Sequence, residues 1–191
     1  MTTESSAKLI KDLKSIPSPV FYIFAAVALF SAFFVRGFTV TGVFTALFLL
    51  LLVACASADI NAGIVPDLIV IAIAVLGVIK FIAEGVTVTG LVSCLIGAVC
   101  ISVPMLVMSL LIKGAFGGGD IKLMAAAGLY LGWRLTVTGA FLGLFMSGFY
   151  GIYLLILKKA DKKSKIKLAP FLTLGLAAAV LFGEYLSIIY F

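Results

Sequence analysis

The feature that most constrains this chain is a succession of long apolar runs with little between them. They fall at roughly 20–35, 43–58, 67–83, 91–112, 121–133, 139–157 and 168–190. Several approach the ~20 residues that cross a bilayer as a helix. In lipid the backbone has no water to bond, so each segment must satisfy its own N–H and C=O groups, and the runs predict helices. Composition agrees: 64% of the 191 residues are hydrophobic and 12% charged, against about half and a quarter in a soluble domain. The expected fold is all-α, a polytopic membrane helical bundle of six to seven transmembrane helices. The 121–133 run is short for a span, and six spans plus an interfacial segment is the alternative to seven.

Residues 1–19 differ in character. Leu9, Ile10, Leu13 and Ile16 recur at helical spacing among Lys8, Lys11 and Lys14, and Pro17 and Pro19 follow. This pattern predicts a short interfacial helix lying on the membrane, ahead of a single transmembrane domain over 20–191. The next apolar run shows no small-x-small cleavage site, so a cleaved signal peptide is not expected.

The formal charge of +6 raises the question of nucleic acid, but the basic residues cluster between apolar spans. Topology and lipid headgroups explain them, and no nucleic-acid partner is expected. With the N-terminus cytoplasmic, eleven of the fourteen basic residues fall on the inner side: Lys8, Lys11, Lys14, Lys113, Lys122 and the cluster from Lys158 to Lys167. Arg36, Lys80 and Arg134 fall outside. This asymmetry predicts a multi-pass plasma-membrane protein with a cytoplasmic N-terminus. Thr39-Val40-Thr41-Gly42, Thr87-Val88-Thr89-Gly90 and Thr136-Val137-Thr138-Gly139 repeat at 48- and 49-residue offsets. Each precedes a span running inward. The preferred reading is one N-capping problem solved three times; the other is an old duplication of helical hairpins.

Chemistry has few residues to work with. There is no histidine, which removes His-based triads, His metal sites and His proton relays. Cys55, Cys94 and Cys100 form no C-x-x-C pair and sit in apolar runs, so they read as small buried hydrophobes. The residues that stand out are carboxylates. Asp120 follows Gly117-Gly118-Gly119 between two apolar runs, at the cytoplasmic end of the fifth span. Asp59 ends the second span and Asp67 opens the third. Asp67 follows Pro66 in a turn, which makes Asp59 the better partner. Glu4, Asp12 and Asp161 lie in solvated basic segments, and Glu84 and Glu184 belong to the outer half.

Two carboxylates held close together cannot both ionise readily, so they share one proton. The charged one can take a proton from water while the protonated one hydrogen-bonds a carbonyl. Such chemistry needs no metal and no cofactor. The plainer reading is that Asp120 and Asp67 each cap a helix after a turn.

Gly117-Gly118-Gly119-Asp120-Ile121-Lys122-Leu123-Met124-Ala125, with Leu131-Gly132-Trp133 after it, resembles the G-x-G-D-x-K-L motif of the type IV prepilin peptidases. Asp59 followed by Val65-Pro66-Asp67, and the late Pro170-Phe171-Leu172-Thr173-Leu174-Gly175, are similar to further segments of that family, as is the 61-residue separation of Asp59 from Asp120. The resemblance covers residues 59 to 175. It implies an aspartic endopeptidase with Asp59 and Asp120 catalytic, supported by Gly117, Gly119, Lys122, Pro66, Asp67 and Pro170. It also implies a substrate: pilin-like precursors with a short basic leader, cut at the cytoplasmic face just before their apolar helix. Lys122 sits two residues from Asp120, about 200° around a helix, so a headgroup or supporting role is expected for it rather than a side-by-side pair. Larger bacterial members carry a cytoplasmic insertion with paired C-x-x-C motifs, associated with N-methylation. None lies between the spans here, and methyltransferase activity is not expected.

Two other readings stand beside this one. Presenilin-like intramembrane proteases share G-x-G-D, but their Tyr-Asp and Pro-Ala-Leu motifs are replaced here by Ala58-Asp59 and Pro170-Phe171-Leu172. A small cation-coupled transporter would more often carry broken helices and mid-membrane charge, whereas these aspartates map to one interface.

Overall fold

The computed structural model describes residues 19–112, 115–157 and 167–186. The 1–19 segment, apart from Pro19, and most of the Lys158–Lys167 cluster lie outside the described residues. Among the described residues eight helical segments follow one another: α1 Pro19–Arg36, α2 Val40–Ala62, α3 Asp67–Ala83, α4 Val88–Cys100, α5 Ser102–Leu111, α6 Gly118–Leu131, α7 Trp133–Ile156 and α8 Ala169–Leu186. No strand occurs among the described residues. The protein is a helical membrane bundle. Val40–Ala62, the α4–α5 run Val88–Leu111 and Trp133–Leu154 are long and apolar enough to cross a bilayer, and α1 and α8 are shorter apolar helices.

The apolar run at 91–112 is two helices rather than one. Pro104 has no N–H to give the carbonyl of Cys100, and its ring crowds that carbonyl. The helix breaks there, at Ile101 between α4 and α5. The Thr-Val-Thr-Gly repeats also part company. Thr39 caps α2 by accepting from the Gly42 amide at 3.1 Å, and Thr87 caps α4 by accepting from Gly90 at 3.2 Å. The third differs, because α7 already begins at Trp133. Thr136 is buried inside that helix and donates to the Gly132 carbonyl at 2.6 Å. One sequence pattern therefore solves the capping problem twice, not three times.

Helix α6 is the hub. At 14 residues it is about 21 Å long, shorter than the ~30 Å hydrocarbon layer. Helices α3, α4, α5, α7 and α8 all pack against it. Close crossings make this possible: a Cβ on Gly97 of α4 or on Gly128 of α6 would collide with the other helix's backbone. Helices α1, α2, α7 and α8 complete the bundle, with α1 against α2 and α7 against α8. The Arg36 guanidinium fastens the end of α1 to α8 by donating to the Val180 carbonyl at 3.0 Å. Bulky side chains such as Phe30, Phe34, Leu110 and Ile156 point outward, as a lipid-facing surface requires.

The apolar periphery leaves a core built on two buried stripes. On α2 the stripe is Phe48, Leu52, Cys55 and Asp59; on α6 it is Asp120, Leu123, Met124, Ala127 and Tyr130. The helices run in opposite directions and are tied at one end by the Phe48 and Tyr130 rings, stacked with centroids 4.1 Å apart. Eleven residues along α2 lead from Phe48 to Asp59, and ten along α6 lead from Tyr130 back to Asp120. At 1.5 Å per residue these are closely matching rises of about 15–17 Å. The register that stacks the two rings carries both carboxylates to the other end of the core.

Candidate active site

Asp59 occupies the last turn of α2, on the stripe that otherwise carries Phe48, Leu52 and Cys55, and is only 7% exposed. The helix continues three residues past it and stops at Gly63, whose backbone is left-handed and whose amide donates to the Asp59 carbonyl at 2.8 Å. The side chain faces the start of α8. There the Ala169 amide, one of the orphan donors of a helix N-terminus, is directed at the Asp59 carboxylate. Pro170 stands next, in the first turn, where its missing N–H costs the helix nothing. The Asp59 Oδ2 is buried with no hydrogen-bond partner.

Asp120 is the third residue of α6 and 9% exposed. Its carboxylate reaches back to the Gly117 amide, the return half of a capping box. The capping role weighed from the sequence is therefore present, and it engages only part of the carboxylate's capacity. The G-x-G-D spacing has a steric reason here. A Cβ on Gly117 would stand 2.9 Å from the Asp120 Oδ2, and one on Gly119 would stand 2.7 Å from the Val65 Cβ. Gly118 has open space around it. One glycine makes room for the carboxylate and the other lets α6 press on the Val65-Pro66 turn.

These two aspartates lie within electrostatic reach of each other, and both also act on the buried Cys55 thiol. The structure does not bring Asp67 into this group. Pro66 begins α3 and leaves the Asp67 side chain 60% exposed, where Lys122 binds it at 2.8 Å. Lys122 thus joins the first turn of α3 to the second turn of α6, at the rim. An apolar groove of about 450 Å³ lies between α1, α2 and α8, lined among others by Phe24, Leu52, Ala56, Pro170 and Ala177; neither aspartate lines it. Its end beside Asp59 carries Ser57 and Asn61. Among the described residues no three Cys, Asp or Glu side chains form a cluster suited to a metal.

Sequence reasoning passed over Lys167, which it counted with the basic cluster. Its ammonium donates to the Ile60 carbonyl at 2.6 Å and acts on the Asp59 carboxylate. The signal available was its place, three residues before Pro170.

A pair of buried carboxylates from two helices at one end of a membrane bundle defines a class: polytopic membrane proteins with an aspartate dyad. The model of the type IV leader peptidase family matches residues 46–152, more than half of the chain and both aspartates. The chain belongs to that family. It is 29% identical over 140 residues to a prepilin leader peptidase/N-methyltransferase of Bacillus subtilis (strain 168), covering 72% of this chain and 54% of that protein. A protein of the same description from Aeromonas hydrophila is 32% identical over 75 residues, or 39% of this chain and 26% of the relative. The chain spans about half the length of the first relative and about a quarter of the second. No solved structure matches it.

Proposed function

We propose that this protein is a membrane aspartic endopeptidase that removes the leader of type IV pilin-like precursors at the cytoplasmic face of the plasma membrane. The observation that carries the reading is the burial of Asp59 and Asp120 at one end of the core, within electrostatic reach of each other. Two carboxylates so placed hold one proton between them. The ionised one takes a proton from water as the oxygen attacks the scissile carbonyl, and the other gives its proton to the carbonyl oxygen. When the tetrahedral intermediate collapses, the C–N bond breaks, the departing amine receives the proton first taken from water, and a hydroxyl of the intermediate returns its proton to the second carboxylate as the carbonyl re-forms. No histidine is needed. Proton transfer of this kind contributes about 10²–10⁴-fold in rate.

A precursor with a basic leader and an apolar helix fits the site's position. Both aspartates lie near helix ends, and one end of the apolar groove is lined by Ser57, Ile60 and Asn61, neighbours of Asp59 on α2. The relatives' printed names add N-methylation. The three cysteines here are buried or half-buried within helices and form no C-x-x-C pair, and the proposal stops at the peptidase.

The test is precursor processing by Asp59→Asn and Asp120→Asn beside thermal stability. Asparagine preserves a cap but neither holds nor releases a proton at working pH. Both variants should fold normally and leave the precursor uncleaved, while Asp67→Asn, at an exposed ion pair away from the two buried aspartates, should cleave it. Full processing by either of the first two would remove the reading.

A further inference from the structure

The groove between α1, α2 and α8 reaches the residues around Asp59 without including it. Ile60 and Asn61, which follow Asp59 on α2, line that end, as does Pro170 in the first turn of α8. Leu52 belongs both to the groove and to the buried stripe that leads to Asp59. From Leu49 to Asn61 the groove follows α2 for about 18 Å, or three helical turns. Ala28, Ala56 and Ala177, one small side chain from each helix, open it. Phe24 and Leu174 on its rim are about half exposed, so it opens sideways toward lipid. A helix with its side chains is 10–12 Å across, and three turns of one fill roughly 1,400–2,000 Å³. A space of about 450 Å³ therefore takes one face of such a helix and leaves the other in the bilayer. The polar end fits a helix start, whose first N–H groups lack partners and can be accepted by the Ser57 and Asn61 side-chain oxygens. An acyl chain would match the apolar length but offer those oxygens nothing.

We infer that this groove binds the first three turns of the precursor's apolar helix, antiparallel to α2 and parallel to α8. The inference rests on the peptidase reading, which sets the direction. The scissile bond precedes the apolar helix, so that helix starts at the Asp59 end and runs away from it. Helix α2 runs toward that end and α8 leaves it. Antiparallel helices of equal rise keep a constant sum of facing residue numbers. With the first residue after the cut level with Ile60, precursor positions of about 5, 8 and 12 face Ala56, Val53 and Leu49. Those positions share one helical face, as anchors in a groove must.

Disulfide trapping tests direction and register. The full chain, with Cys55, Cys94 and Cys100 replaced by alanine or serine and Asp120→Asn to hold the precursor uncut, is mixed in lipid nanodiscs with a type IV pilin precursor bearing one cysteine in its apolar helix. Cross-links form only where Cβ atoms approach to about 4 Å. Ala56→Cys, Val53→Cys and Leu49→Cys should trap successively later precursor positions. On α8, Leu174→Cys, Ala177→Cys and Leu181→Cys should also trap later positions as their own numbers rise. Leu47→Cys, exposed and about 200° around α2 from Leu49, should trap none. The reverse order, no order, or trapping no better than at Leu47 overturns the inference and leaves the groove to lipid. The wild-type protein gives a second measurement that no folding defect can blur. Gln at precursor position 5, 8 or 12 should raise KM about tenfold, as when a pocket loses its apolar group, and Gln beyond the third turn should leave KM unchanged. An equal rise along the whole helix also overturns the inference. If trapping follows the stated order and the wild-type protein cleaves no precursor, the binding groove stands and the peptidase reading falls. If cleavage proceeds and trapping fails, the reading stands and the groove assignment falls.

Discussion

At the scale of single residues, the glycines before Asp120 make the sharpest distinction. The Cβ of Gly117→Ala would press on the Asp120 carboxylate, and that of Gly119→Ala on Val65; Gly118 meets nothing. Gly117→Ala should therefore cost cleavage far more than stability, by tenfold or more in kcat, because the carboxylate shifts while the helix still forms. Gly119→Ala should cost about 1–3 kcal/mol of stability through overpacking, and Val65→Ala in the same chain should recover part of it. Gly118→Ala should be neutral in both assays. Thermal unfolding and precursor processing on the three variants check this pattern, and equal loss at all three positions would contradict it. The Lys122–Asp67 pair is the opposite case. Both side chains are more than half exposed, and exposed pairs contribute about 0–1 kcal/mol, so neutralising either should shift stability little.

The helices show what the sequence could and could not convey. Among the described residues all seven apolar runs are mainly helical, because a lipid-buried backbone has no other way to satisfy itself over such lengths. The ends were harder to read. A run defined by apolar side chains stops at 58 and resumes at 121, whereas the backbone hydrogen bonds continue through Asp59 to Ala62 and begin at Gly118. Both aspartates thus lie inside helices that an apolar-run criterion truncates just short of them. The α4–α5 break needed only Pro104, which the sequence displays. The ends of α2 and α8 that surround Asp59, by contrast, come together through packing that no local pattern encodes, and Lys167 was invisible for that reason. The groove between α1, α2 and α8 carries a prediction of its own. Under the peptidase reading it receives the precursor's apolar helix, so Ala56→Trp or Ala177→Trp should fill it. Such variants should raise KM for a full precursor several-fold while changing the cleavage of a short leader-junction peptide little. Equal effects on both substrates would place the apolar helix elsewhere.

The whole molecule has two chemically different ends. One gathers Asp59, Asp67, Asp120, Lys122 and Lys167; the other holds the Thr39 and Thr87 caps, the Arg36–Val180 tie and Lys80, which donates to the Tyr130 carbonyl at 3.2 Å and pairs with Glu84 at 3.7 Å. The bundle fixes which residues share an end, and from the charge asymmetry of the sequence we propose that the aspartate end is cytoplasmic. The two statements are separable, and cysteine labelling tests the second. Ile64 lies in the exposed turn after α2, near the aspartates, and Val88 starts α4 at the other end, also exposed. In a chain whose Cys55, Cys94 and Cys100 are replaced by alanine or serine, an impermeant thiol reagent added outside intact cells should modify cysteine at Val88 and spare cysteine at Ile64. Permeabilisation should expose both. Under the peptidase reading, a precursor's basic leader stays on the cytoplasmic side as its apolar helix enters the bilayer, and this orientation presents the aspartates to the scissile bond. The reversed labelling pattern would leave the fold intact and put the aspartates on the wrong side of the membrane for a leader peptidase.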